Sequence, residues 1–256
     1  MEQTVAIVTG ASQGIGGATA IRLAKDFSVI VVVARNRDNL NATASEVEKA
    51  GAKAYIVAAD LSKPEAAKLV IEETLTRFGR IDALLNIAGA VPGIDVMEMT
   101  DDQWIQGAEL KLHGARRLTI HAWEALKKSR GAVVFISGTT ALEPKSGTAA
   151  VGVINAAIDA LAKAFAEKGV RDGVQVNSML PGAILTERRR SMLEKSAKQQ
   201  GITLEQSIER FPEKAGITRL GTPEEIADLM AYLVSPGARW LTGAAIRMDG
   251  GEVRGI

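Results

Sequence analysis

The first residues whose types and spacing suit chemistry are Thr9-Gly10-Ala11-Ser12-Gln13-Gly14-Ile15-Gly16, which follow a short apolar run and open a helical one. Glycines spaced in this way permit a tight turn and let backbone N–H groups approach a pyrophosphate at a helix N-terminus. A glycine-rich turn between strand and helix also serves packing alone, but a strand before it and a helix after it favour anion binding. Further on, Val33-Ala34-Arg35-Asn36-Arg37-Asp38 offers no acid at a strand tip to accept ribose hydroxyls. Arg35 can instead hold a 2′-phosphate with its planar fork, which favours NADP(H) over NAD(H); the alternative is a solvated arginine starting a helix. Ser137, Thr139 and Thr140 follow another apolar run and can hydrogen-bond a substrate oxygen, or simply form a turn. Arg188, Arg189 and Arg190 can steer an anionic substrate, or form a solvated helix face. No metal site is expected. Cysteine is absent, and His113 and His121, the only histidines, stand eight apart on one helical pattern.

These residues need elements to hold them. Short apolar, β-branched runs at Val5–Thr9, Val29–Ala34, 54–58, 81–86, 132–137, 174–178 and 244–248 alternate with helical patterns near 14–25, 38–50, 64–78, 101–129, 147–168 and 222–235. Strands that are apolar throughout, joined by helices, predict a parallel sheet covered on both faces. Thr222-Pro223-Glu224-Glu225 reads as an N-cap, an N1 proline and two acids that suit the helix dipole. The expected architecture is α/β: one Rossmann-type domain over residues 1–256, with a doubly wound, seven-stranded parallel sheet. The polar stretch 186–216 interrupts it at the ligand-binding edge and reads either as a mobile helical lid or as a solvated excursion.

The glycine turn and several later motifs, in order, resemble the short-chain dehydrogenase/reductase family. They are Asp60-Leu61, Leu85-Asn86-Ile87-Ala88-Gly89, Val176-Asn177-Ser178-Met179-Leu180-Pro181-Gly182 with Thr186, Arg219-Leu220-Gly221-Thr222-Pro223-Glu224-Glu225-Ile226-Ala227, Thr242-Gly243 and Asp249-Gly250-Gly251. The likeness covers essentially the whole chain; Ile87 departs from it, where the family usually has a second asparagine. The resemblance implies that Gly10, Ser12, Gln13, Gly14, Ile15 and Gly16 hold the pyrophosphate and adenosine ribose. It implies that Asp60 and Leu61 flank adenine, that Asn86, Ala88 and Gly89 line the adenosine and ribose path, and that Pro181, Gly182, Ile184 and Thr186 lie along the nicotinamide.

The family's chemistry uses a tyrosine as acid/base, a lysine four residues later, a serine thirteen residues upstream and an asparagine on the preceding helix. Counting back without gaps from Asn177 and Pro181-Gly182 places Val151, Asn155, Gly138 and Lys111 at those four positions, with Ser137 one residue early. No shift restores the tyrosine: the chain has only Tyr55 and Tyr232, followed four residues on by Ala59 and Pro236. Lysine and asparagine have exchanged places between the two helices. One expectation is that the Lys111 ammonium reaches Asn155 and the nicotinamide ribose, restoring the missing cation; the other is that it snorkels to solvent. Lys111, Ser137 and Asn155 are therefore the catalytic candidates.

Composition bounds the rest. With 256 residues, 46% hydrophobic residues and a formal charge of +1, the chain can bury a large core and gives no electrostatic reason to expect nucleic acid. No secretory signal or membrane span can be placed, so a cytoplasmic protein with a small-molecule substrate is expected. By resemblance, helices 101–129 and 147–168 form a symmetric interface in a homodimer or homotetramer. Ala149, Val151, Val153, Ile154, Ala157, Ile158 and Leu161 give the second helix more apolar surface than one core face requires. Two functions stay open: an NADP(H)-dependent oxidoreductase with a rewired acid/base group, or a dinucleotide-binding sensor or partner subunit without turnover.

Overall fold

Every β-branched run except the last becomes a strand with most of its side chains turned away from water. The computed structural model describes residues 3–255. Its strands are β1 (Val5–Thr9), β2 (Val29–Ala34), β3 (Lys53–Ala58), β4 (Ala83–Asn86), β5 (Ala132–Ile136), β6 (Gln175–Pro181) and β7 (Ala245–Met248). All pair in parallel, in the order β3-β2-β1-β4-β5-β6-β7. β3 and β7 are the edge strands, and their exposed and half-buried residues reflect a single neighbour each. All five residues of β1 and of β5 are buried, as strands with helices on both faces require.

One face of the sheet packs against α3 (Pro64–Phe78), α5 (Ala115–Ser129) and α6 (Ala149–Asp172) through Val70, Leu118 and Ile158. The other packs against α1 (Gly14–Leu23), α2 (Arg37–Lys49) and α9 (Pro223–Leu233) through Leu23, Leu40 and Met230. Helix α6 and the turn before it are apolar enough to suit a bilayer by composition. Ile154, Ile158, Ala162 and Ala166 nevertheless lie in the core, so that stripe faces the sheet. The doubly wound, two-faced architecture read from the sequence is the one observed, including the Thr222 capping box and N1 proline of α9.

The differences are local. Strand β4 begins at Ala83 rather than 81, and β6 runs on to Pro181 rather than stopping at 178. The extension arises because β7 supplies partners for Ser178 through Pro181. The pattern near 101–129 is not one continuous helix. It divides into α4 (Asp101–Ala108), a π turn over Glu109–Gly114, and α5. A wide turn carries one residue more than an α turn, which an apolar stripe cannot register. Residues 186–216 form α7 (Glu187–Gln200) and α8 (Leu204–Ala215), joined at Gly201. Leu193, Ile217, Leu220, Ile208 and Phe211 give this pair a small apolar core of its own. The stretch is thus a packed helical pair.

Along the sheet the chain runs outward from β1 to β3, then returns to the other side of β1 with β4. Loops leaving β1 and β4 therefore diverge at their carboxyl ends and open a crevice, where open α/β sheets take ligands.

Candidate functional site

The crevice is fixed by one buried hydroxyl. Thr9 Oγ1 donates to the Leu85 carbonyl at 3.3 Å and accepts the backbone N–H of Ile87 at 2.8 Å and of Ala88 at 3.0 Å. This clamp brings the loop after β4 so close to the turn after β1 that a Cβ on Gly10 would lie 3.0 Å from the Ala88 backbone. Gly10 has φ +65°, and a Cβ on Gly16 would lie 2.2 Å from the Gly10 carbonyl oxygen. Both positions exclude a side chain, one by conformation and contact, the other by contact alone. Gln13, at the N-cap of α1, makes no side-chain capping bond, so the first-turn N–H groups remain available to an anion. Gly14 faces the Thr186 methyl, 3.5 Å from where a Cβ would stand, across a pocket of about 300 Å³ lined also by Gln13, Gly17 and Glu187.

Ser12 lies in the turn before α1 and Ile15 in its first turn, Ala88 and Gly89 follow β4, and Pro181 and Gly182 stand at the end of β6. Asn86 donates to Thr119 Oγ1 at 3.2 Å, while its buried Oδ1 has no partner among the described residues. Leu61 and Ile184 are turned into the two cores, so only their backbones face the crevice. Asp60 Oδ1 accepts from the Ser62 N–H and hydroxyl at 3.1 and 2.8 Å. Partial burial pushes the Asp60 carboxyl up, but the Ser62 bonds and the charges of Arg35 and Lys63 bring it below its ordinary value. Arg35 itself, beyond β2, is exposed and makes no ion pair with any described residue.

The three catalytic candidates meet. Lys111, inside the π turn, reaches across the carboxyl end of the sheet. Its Nζ donates to Asn155 Oδ1 on α6 at 2.5 Å and to the Ser137 carbonyl beyond β5 at 3.1 Å. Its stem lies on Gly89, where a Cβ would come within 2.9 Å of Lys111 Cδ. The Asn155 amide donates to Thr140 Oγ1 at 2.8 Å and lies against Gly138, where a Cβ would come within 2.7 Å of Nδ2. The expected reach of Lys111 to Asn155 is present, and the snorkelling alternative is not. An ammonium has three hydrogens, and these two bonds leave one for a further partner. Burial pushes Lys111 down to about 8, helped by the nearby Arg188 charge and opposed by Asp159. Neither tyrosine is near. Tyr55 lies on β3 with its hydroxyl 3.4 Å from Glu73, and Tyr232 is exposed on α9.

Two neighbours escaped the sequence reading. Ser137 Oγ lies 2.9 Å from the Asn155 carbonyl oxygen and 3.0 Å from Asp159 Oδ2. Burial pushes the Asp159 carboxyl up, against hydrogen bonds from Ser178 and Ser137 and the charge of Lys111. A hydroxyl has one hydrogen to give, so Ser137 donates to one of these two oxygens at a time, and the buried Asp159 Oδ1 has no partner among the described residues. The available signal was an acid four residues after Asn155 in an otherwise apolar run. The second neighbour is Val91, whose carbonyl oxygen accepts from Arg188 at 2.5 Å. His113 lies in the π turn beside Lys111, and its buried Nδ1 has no partner among the described residues.

A family model described as enoyl-(acyl carrier protein) reductase matches residues 10–252. Among curated proteins, the short-chain reductase protein NovJ of Streptomyces niveus is 28% identical over 98% of this chain and 94% of its own. Among solved structures, L-sorbose reductase from Gluconobacter frateurii, complexed with NADPH and L-sorbose, is 31% identical. It superposes with a TM-score of 0.95 over 100% of this chain and 98% of its own. A variant actinorhodin polyketide ketoreductase with NADPH is 29% identical, with a TM-score of 0.92 over 98% and 97%.

The depressed Lys111 has a signed consequence for stability. The unfolded chain holds this proton up to its ordinary value near 10.5, the folded chain only to about 8. The penalty is therefore full below about pH 8 and is relieved as pH rises towards 10.5. Lys111→Met is expected to be more stable than the parent at pH 7, by up to ~3 kcal/mol, with the difference shrinking by pH 10. Urea unfolding at the two pH values measures this. A variant less stable at both would show that the ammonium's hydrogen bonds outweigh its burial.

Proposed function

The chain belongs to the short-chain dehydrogenase/reductase family, and from that premise we propose that it is an NADP(H)-dependent oxidoreductase whose proton donor is the Lys111 ammonium. The observation that carries this reading is the bond from Lys111 to Asn155, with one ammonium hydrogen left over at the mouth of the crevice. Gly10, Gly14 and Gly16 fit a pyrophosphate, since the tight turn they permit leaves the first-turn N–H groups of α1 without a side-chain cap. The buried, unpartnered Asn86 Oδ1 fits a ligand group on the same path. Exposed Arg35 suits a 2′-phosphate, and two of the similar structures were solved with NADPH.

Bound NADPH would supply hydride to a carbonyl carbon; the chain's own work is at the oxygen. There Lys111 orients the carbonyl by hydrogen bonding and gives up a proton as the oxygen becomes an alcohol. A donor with a pKa near the working pH serves this best, and burial with Arg188 nearby brings Lys111 to about 8. Asn155 holds the ammonium in place, and Thr140 holds Asn155. Val151 and Gly138, at the positions where the family has tyrosine and serine, favour a second reading: dinucleotide binding without turnover.

The same reading includes self-association. Ile105 on α4, Ile120 on α5, and Val153 and Val170 on α6 are each about half exposed or more. They add apolar surface to the helices that the family resemblance assigns to a symmetric interface.

Four outcomes are expected. NADPH-dependent reduction of a test carbonyl should be flat at lower pH and fall above about pH 8 as the acid form is lost. Lys111→Met should lower kcat by roughly 10²–10⁴ and remove that limb. No reduction across a broad carbonyl panel, with NADPH bound, would favour the non-catalytic reading. In fluorescence titrations NADPH should bind more tightly than NADH, with Arg35→Ala narrowing the gap; equal parent affinities would reject the preference. Sedimentation should give a dimer or tetramer at micromolar concentration, and a monomer alone would reject the interface.

A further inference from the structure

Arg188 and Lys111 come from opposite sides of the crevice and meet the same short loop. The Arg188 guanidinium, at the first turn of α7, donates to the Val91 carbonyl, and the Lys111 stem lies on Gly89 two residues earlier. These cations are close enough that Arg188 depresses Lys111, an influence larger than the opposing one from Asp159. Neither forms an ion pair with any described carboxylate. Burial pushes the Asp159 carboxyl up, while its charge still acts on Lys111. The two cations thus meet one short loop, Arg188 with no paired carboxylate among the described residues, an arrangement that an incoming anion relieves.

The walls add a second property. Val91, Ala150 and Ile154 are buried together, with Val151, Leu112 and Trp104 packed against them. Val91 is both the residue that Arg188 grips and a member of this apolar cluster. A fitting ligand has a charged end for the guanidinium, a hydrocarbon part for the wall and an oxygen for the ammonium. A guanidinium has five N–H donors in a fixed fork, and its one bond to Val91 leaves enough to take both oxygens of a carboxylate.

We infer that the substrate is an oxo acid: Arg188 takes its carboxylate, Lys111 its carbonyl oxygen, and half-buried Val151, packed on the buried Val91–Ile154 cluster, its hydrocarbon chain. This rests on the proposed oxidoreductase reading for the role of the carbonyl, while the anion site rests on Arg188 alone. Reduction would add hydride to the carbonyl carbon and a proton from Lys111 to its oxygen. The product is the hydroxy acid, and the carboxylate is unchanged.

The test is binding, not turnover. The probes are 2-oxohexanoate and its methyl ester, titrated by calorimetry into the chain with and without NADPH. The acid is expected to bind at least about tenfold more tightly than the ester, the scale of one charge-assisted hydrogen bond. Arg188→Gln should abolish the preference and leave NADPH affinity unchanged, and Arg188→Lys, which keeps the charge without the fork, should fall between. Equal binding of acid and ester, or a preference that survives in Arg188→Gln, overturns the inference. Acid preference in a chain that binds no NADPH upholds the anion site and overturns the dinucleotide reading, so the two failures are distinguishable.

Discussion

An ammonium drawn in from water must find acceptors, and much of the crevice is arranged around that requirement. Lys111 is led across the sheet edge by a glycine at 89 that leaves room for its stem. It ends on a carboxamide and a backbone carbonyl. The carboxamide fits because position 138 carries no side chain, and it is oriented because Thr140 takes its N–H. Gly89, Lys111, Gly138, Thr140 and Asn155 therefore form one set, in which each member is sterically or electrostatically conditional on another. Replacing Lys111, Gly138 or Asn155 by the family's usual residue leaves the others fitted to a partner no longer present. Such sets make single substitutions strongly non-additive.

The fold was legible because its signals are local and repeated. Apolar β-branched runs, glycine turns and capped helices specify strand and helix independently at many places, and the parallel sheet follows from their alternation. The crevice was legible through Gly10, Gly14 and Gly16, whose spacing is itself a backbone constraint. What remained hidden was the π turn at Glu109–Gly114, which adds a residue to a helix without disturbing its apolar stripe. Also hidden were contacts between residues far apart in sequence, such as Ser137 with Asp159 and Arg188 with Val91. The Lys111–Asn155 exchange was visible only as two unexpected residue types. That they touch depends on which way a flexible side chain turns, and sequence spacing does not encode this.

The two sides of the crevice differ in what holds them. Below lies the sheet edge, tied by Thr9 to two consecutive backbone N–H groups and backed by β1 and β5, which have no exposed residue. Above lies the α7–α8 pair. It is fastened through the isolated bridge between Ile184 and Gly221, the Thr186 cap, the Arg188 contact with Val91 and its own few apolar residues. Groups proposed to act on the reacting oxygen belong to the first side; the group proposed to select the ligand belongs to the second.

The small core beneath α7 and α8 makes that pair a separate thermodynamic unit. Leu193, Ile217, Leu220, Ile208 and Phe211 do not belong to either of the large clusters against the sheet. Separation of the pair from the body is therefore governed by a few side chains, not by the cooperative stability of the whole chain. Amide protection along Glu187–Ala215 would then report a breathing equilibrium distinct from global unfolding. That equilibrium becomes a quantity that hydrocarbon packing can tune, one methylene at a time, with the buried ammonium and the glycine turn untouched.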